Sequence, residues 1–282
     1  MKIIDTFEGI EKCYVNGEFQ KSEWDKYMNE YLPFAKKRIE NVAAKYNFLK
    51  DVLPVLNNLI ENRDKFVIAH NSFCELVDRI DEKLKSSLDT ELDVTVVFYL
   101  GLCCGAGWAV ENLKDKRYIL LGAEKIVELD WQDKNLMASL IYHELGHLWH
   151  FGTRKKLMRK FKSEYLWQLY TEGMAMYAQE LLMNDEKQYH QYSNEWLRWC
   201  NKNKTKLYKE YLRRIDSKES CQDFFGDWCS YLGHSDIGYY LGCELVKKLA
   251  QNLSIKELVD LKENDIYEAL KNFAVYKASE YI

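Results

Sequence analysis

The chain has 282 residues, 47% of them hydrophobic, which is enough to bury a sizeable core and excludes a disordered polymer. Its 40 basic and 44 acidic residues are mixed along the whole length and leave a net charge of -4, so no basic field favours nucleic acid, and a peptide, protein or small molecule is the expected partner. Residues 1–19 lack the uninterrupted apolar stretch of a secretory signal, and no later run reaches the roughly 18 apolar residues of a membrane span, which together predict a soluble cytoplasmic protein with no membrane partner.

Eight cysteines are scattered without a C-x-x-C pair and read as reduced thiols; the vicinal Cys103 and Cys104 read as small residues packed beside a strand. Only two prolines and 13 glycines leave few helices interrupted. From about residue 22 to 90, apolar positions recur at helical spacing: Tyr27, Tyr31 and Phe34, then Leu53, Leu56, Leu59 and Ile60, then Phe73, Leu76, Val77 and Ile80. This predicts an N-terminal helical region. Residues 93–100 are β-branched and aromatic and precede a glycine-rich turn at 101–107, while 108–110 and 117–122, separated by the charged segment 111–116, suggest that the three runs form a small antiparallel sheet.

Beyond Asp133 the pattern is helical again, with stretches at about 134–151, 163–183 and 236–251. A Lys- and Trp-rich helical stretch and a less regular segment at 216–233 lie between the last two. The expected fold class is therefore α+β and mainly helical, with residues 1–90 as a helical region and 91–282 as a second domain. The basic stretches Arg154-Lys155-Lys156 with Arg159-Lys160-Lys162, and 202–214, read as solvated helix faces.

The chemistry concentrates at His143-Glu144-Leu145-Gly146-His147. Residues i and i+4 of a helix lie about 40° apart around the axis and roughly 6 Å apart along it, so two imidazoles can grip one zinc ion while the intervening Glu144 reaches a water as general base. Leu136, Met137, Leu140 and Ile141 make the preceding turns apolar, so this helix crosses a core. A catalytic zinc takes three protein ligands and keeps one position open, so a third ligand must come from elsewhere.

Glu172, 25 residues after His147 on the next helical stretch, is the leading candidate: the first helix ends near Phe151-Gly152, a connection crosses, and the second returns antiparallel, with Gly173 allowing close approach. Glu164 is the rival at shorter spacing. His150 lies roughly 10 Å along the axis from His143, too far for all three histidines to share an ion, and is expected to owe its place to the helix C-terminal dipole. The longer H-E-x-x-H-x-x-G-x-x-H form is absent, because His150 and Thr153 stand where it needs glycine and histidine.

With these residues the chain, over about 93–250, resembles the gluzincins, the clan of thermolysin-like peptidases and zinc aminopeptidases in which a downstream glutamate completes H-E-x-x-H. It is most similar to the small predicted zinc proteases of that clan. The resemblance implies a zincin-like catalytic domain, zinc ligands His143, His147 and Glu172, general base Glu144, and a peptide or protein substrate. The segment Gly238-Tyr239-Tyr240-Leu241-Gly242 is similar to the Tyr-x-x-Gly of the aminopeptidase branch, which implies that Tyr239, or its neighbour Tyr240, stabilises the oxyanion. His234 and Asp236 lie just upstream.

The resemblance further implies a substrate-binding edge strand beside the metal helix, for which 118–122 is the candidate. Gly105-Ala106-Gly107-Trp108 is similar to the Gly-Ala-Met-Glu-Asn segment that binds a free amino terminus, but without its glutamate; Glu111 is the nearest acid downstream. No Asp, Asn or Ser follows Glu172 at three or four places to orient a ligating histidine. Two other expectations remain beside the peptidase: a zinc-stabilised binding or regulatory protein without catalysis, and a metallohydrolase of a non-peptide amide or ester.

Overall fold

The β-branched run after residue 93 forms the middle of the sheet. In the computed structural model, which describes residues 1–111, 116–154, 160–185, 193–226 and 228–275, strand β4 (Val94–Tyr99) is flanked on both sides. The strand order is β1-β4-β6-β5, with β1 (Lys2–Asp5) parallel to β4, β4 parallel to β6 (Arg117–Gly122), and β5 (Gly107–Glu111) antiparallel to β6. The sheet is thus mixed and four-stranded, not the small antiparallel one expected. The segment between β4 and β5 is too long for a tight hairpin, so β5 folds back on β6 instead, and the buried Ile119, Leu120 and Leu121 carry β6 into the interior beside β4. β1 fills the remaining side of β4, in register from Lys2 opposite Thr95 to Asp5 opposite Phe98.

This order corrects a second expectation: 118–122 is an inner strand, and the edge beyond it is β5. A separate two-stranded sheet pairs β2 (Tyr14–Val15) with β3 (Glu18–Phe19) across Asn16-Gly17, both at positive φ (52° and 81°), the backbone that a two-residue hairpin turn demands.

The chain divides into two compact units, Met1–Glu144 and Leu145–Ile282. The first holds both sheets and the helices α1 (Phe7–Glu11), α2 (Lys21–Tyr31), α3 (Pro33–Ala43), α4 (Leu53–Glu61), α5 (Arg63–Val77), α6 (Ile80–Leu88) and α7 (Ala123–Glu128). The loop from β4 to β5 is anchored here by buried polar groups. Glu124 of α7, wholly buried, accepts the backbone N–H of Gly101 and of Cys103, each at 3.0 Å, and Trp24 of α2 donates its indole N–H to the Leu100 carbonyl at 3.0 Å. Burial raises the Glu124 carboxyl above its ordinary value, and these backbone donors offset part of that cost. None of the eight cysteines is in a disulfide, and Cys103 is buried in this loop.

α8 (Lys134–Thr153) begins in the first unit and ends in the second, which also holds α9 (Glu164–Met183), α10 (Asn194–Ser217), α11 (Ile237–Ala250), α12 (Ile255–Val259) and α13 (Glu263–Val275). α9 and α11 cross at Gly173 and Gly242, so closely that a Cβ on Gly173 would run into the Gly242 backbone. Gly173 therefore serves the α9–α11 contact, whereas the expected close approach of α8 and α9 occurs at Gly146, where a Cβ would lie 2.9 Å from Ala175 Cα. No helix among the described residues is long and apolar enough to cross a membrane.

Of the two basic stretches, 155–159 lies outside the described residues, and Arg154 is buried rather than solvated. In α10, Lys202, Lys206 and Lys209 are exposed, as a solvated face requires, while Lys204 pairs with Glu244, Arg213 with Glu210 and Glu219, and Arg214 with Glu210 and Asp223. The α9–α11 crossing yields a direct test. Gly173→Val should lower stability by about 1–3 kcal/mol or more, read as a lower urea midpoint at unchanged slope, because the added side chain meets backbone that cannot step aside.

Candidate metal centre

α8 starts where Asp133 accepts the N–H of Asn135 and of Leu136 at 2.9 and 3.1 Å, satisfying two of the free donors of the first turn. Its buried Met137, Leu140, Ile141, Leu145 and Leu148 then carry His143, Glu144 and His147 through apolar surroundings. α9 is capped by Ser163, whose hydroxyl accepts Leu166 N–H at 3.3 Å, and the backbone of Lys162 and Ser163 is held by the Glu263 carboxylate at 2.8 and 2.9 Å. Contacts between the two helices run in opposite directions along the chain: Gly146 meets Ala175, His147 meets Glu172, His150 meets Trp167 and Tyr170, and Arg154 meets Tyr170. The helices are therefore antiparallel, as the spacing between His147 and Glu172 predicts.

His143, His147 and Glu172 each present a ligand atom, all within 4.8 Å of one another. His147 Nε2 stands 3.1 Å from Glu172 Oε2, close to the roughly 3.3 Å that separates two ligand atoms of a tetrahedral zinc with bonds of about 2.0–2.1 Å. His143 and Glu144 are buried, and the side chains of His147 and Glu172 keep 12% and 16% exposure, so the group is shielded yet reachable. Two imidazole nitrogens and one carboxylate oxygen are the donor set of an open catalytic zinc site, and the residues fit that ion.

Glu144 is placed by a neighbour that periodicity does not flag. Gly107, first residue of edge strand β5, lies against it: a Cβ there would stand 2.7 Å from Glu144 Oε1 and 2.8 Å from Leu140 Cδ1. Only a glycine lets β5 come this close to α8. The next residue, Trp108, points the other way and stacks under the Arg38 guanidinium at 4.4 Å. Glu111, the expected stand-in for the missing recognition glutamate, ends β5 about 13 Å along the strand from Gly107 and pairs with Arg117 at 3.4 Å.

Tyr239 lies half-exposed in the first turn of α11, its ring edge-on to Phe225 at 5.7 Å, one turn before the Gly242 that touches Gly173 beside Glu172. Tyr240 is buried and its hydroxyl donates to Asn201 Oδ1 at 2.8 Å. His234 stacks on Trp199 at 3.8 Å, and Asp236 accepts the Gly226 N–H at 2.6 Å. Glu164 opens α9 in an exposed position, about 12 Å along the axis from Glu172, and is not among the grouped ligands.

His150 departs from its expected role. It is wholly buried against Phe151, Trp167 and Tyr170, so burial, with smaller contributions from Arg154 and His147, pushes its pKa down to about 3; the ring is neutral, and a favourable charge at the helix end does not account for it. Arg154 is what serves the chain ends there: it donates to the Tyr170 hydroxyl at 3.2 Å and to the Val259 and Leu261 carbonyls, closing the C-terminus of α12.

The fold and the site together define a mainly helical α+β protein with a two-histidine, one-glutamate group on paired antiparallel helices. Comparison with family models, with curated proteins and with solved structures finds no match to this chain.

Because His150 is neutral when folded and ordinary when unfolded, the unfolded chain binds the extra proton between about pH 6.5 and pH 3. The stability from keeping this ring neutral is present above pH 6.5 and is lost as pH falls toward 3, by up to about 4 kcal/mol. In metal-free protein His150→Leu should flatten the decline of the urea midpoint across that window; an unchanged decline would contradict the assignment.

Proposed function

We propose that this chain is a cytoplasmic zinc-dependent hydrolase of peptide bonds, of the gluzincin kind that its motifs resemble. The observation that carries the reading is the convergence of His143, His147 and Glu172 beside the buried Glu144, with the edge strand β5 packed on that carboxylate. When bound there, zinc supplies Lewis acidity and lowers the pKa of water to near neutrality.

The chain's own groups supply the remaining chemistry. Glu144, adjacent to the ligand His143 but not itself part of the ligand group, takes a proton from the attacking water and returns it to the leaving amine. Tyr239 donates a hydrogen bond to the carbonyl oxygen as negative charge develops on it. The outer backbone of β5 offers an extended peptide a strand to pair with, a role that falls to this edge now that β6 is interior. A balanced surface charge leaves peptides rather than nucleic acid as the substrate class.

Glu144→Gln should retain zinc and lower peptide hydrolysis by about 10²–10⁴-fold. Cleavage as fast as the parent's would remove Glu144 from the mechanism, and a zinc-loaded parent that cleaves no peptide would favour a binding or regulatory role. Tyr239→Phe should lower kcat by about 10²–10³-fold with zinc content unchanged, whereas Tyr240→Phe, which removes the hydroxyl that bonds Asn201, should leave kcat near the parent's.

A further inference from the structure

Three donors of different kinds meet at the end of β1. Asp5 is the last residue of that strand, and His70 and Cys74 lie one turn apart on α5. Asp5 Oδ2 is 2.7 Å from His70 Nε2, Cys74 Sγ is 3.5 Å from the same nitrogen, and one ligand atom of each of the three residues lies within 4.8 Å of the other two. All belong to the unit Met1–Glu144.

The groups are held in place. The His70 ring stacks on Phe7 at 4.1 Å and leans on Phe98 at 5.7 Å. Asp5 Oδ1 accepts the Phe7 N–H at 3.0 Å, which turns Oδ2 toward the imidazole. His70 and Asp5 keep side-chain exposures of 20% and 38%, and Cys74 is exposed, so an ion from solvent has a path in.

Protons alone serve this arrangement poorly. Nε2 carries at most one hydrogen; donated to Asp5, it leaves the Cys74 sulfur only a long, weak share of the same hydrogen, and giving it up turns a lone pair against the carboxylate. An ordinary surface ion pair explains Asp5 and His70 but not the thiol. A cation reconciles all three, because carboxylate oxygen, imidazole nitrogen and thiolate sulfur would each present a lone pair to it.

The distances agree with that reading. A tetrahedral zinc with Zn–S of about 2.3 Å and Zn–N of about 2.0–2.1 Å sets sulfur and nitrogen about 3.5 Å apart, as found, and asks the Asp5 oxygen to withdraw by roughly half an ångström. A mixed oxygen, nitrogen and sulfur set suits a borderline ion such as zinc over magnesium or calcium, which take oxygen.

We propose that Asp5, His70 and Cys74 form a second divalent-cation site, separate from His143, His147 and Glu172, that takes zinc or a similar borderline ion with one position open to solvent and ties the end of β1 to α5. This site stands whether or not the chain is a hydrolase.

Cobalt distinguishes the two sites, because only this one has a sulfur ligand. Titrating the full-length metal-free chain with Co²⁺ should produce a near-ultraviolet sulfur-to-cobalt charge-transfer band that saturates at one equivalent, with a second equivalent bound without such a band. Cys74→Ser should abolish the band and leave one equivalent; His143→Ala should keep the band and lose the other. Zinc should displace cobalt from both, with affinity at this site at least tenfold weaker in Asp5→Asn. Absence of the band in folded parent protein, or a band that survives Cys74→Ser, would overturn the proposal. One equivalent bound with the band present would uphold it while removing the metal from α8.

Discussion

The candidate site depends on α8 and α9 lying close enough for His147 and Glu172 to occupy one small volume. That approach is set by what is missing: Gly146 has no side chain, and Ala175 sits where one would be. A large residue at either place would separate imidazole and carboxylate beyond the span of one ion. The same economy recurs around the site, with Gly107 admitting β5 to Glu144 and Gly173 seating α9 on α11 beside Glu172. Backbone proximity here fixes the positions of the polar groups, and the surrounding apolar residues of α8 keep water from competing with them.

Much of this was legible in the chain. Three helical stretches and three strands fall within a few residues of α8, α9, α11, β4, β5 and β6, because each carries an unbroken periodic or β-branched pattern. The grouping of His143, His147 and Glu172 follows from i,i+4 spacing and a return helix of the right length. What the pattern did not convey was pairing. A strand's residues tell whether it is buried, not which neighbour it takes, so the pattern marks neither β1 as a partner of β4 nor β5, rather than β6, as the edge. Asn16-Gly17 did carry a hairpin signal, over strands too short to register as a period.

Charge and burial explain the other departures. His150 follows two histidines at helical spacing and reads as a helix-end cation, yet tertiary packing buries it among aromatic rings where charge is costly. Arg154, one turn later, belongs to a basic run and reads as solvated, but finds the carbonyls of Val259, at the end of α12, and of Leu261 just beyond it to satisfy. Asp5, His70 and Cys74 were invisible for a further reason: the acid is 65 residues from the histidine, and only the pairing of β1 with β4 brings that end of the chain to α5.

The proposed chemistry requires one ion held between α8 and α9, and locating that ion is its most direct test. Crystals grown with zinc and measured at its absorption edge should show an anomalous peak within about 2.0–2.2 Å of an imidazole nitrogen of His143, one of His147 and a carboxylate oxygen of Glu172. A peak bound without Glu172, or no peak between these helices in crystals that hold zinc elsewhere, would contradict the account.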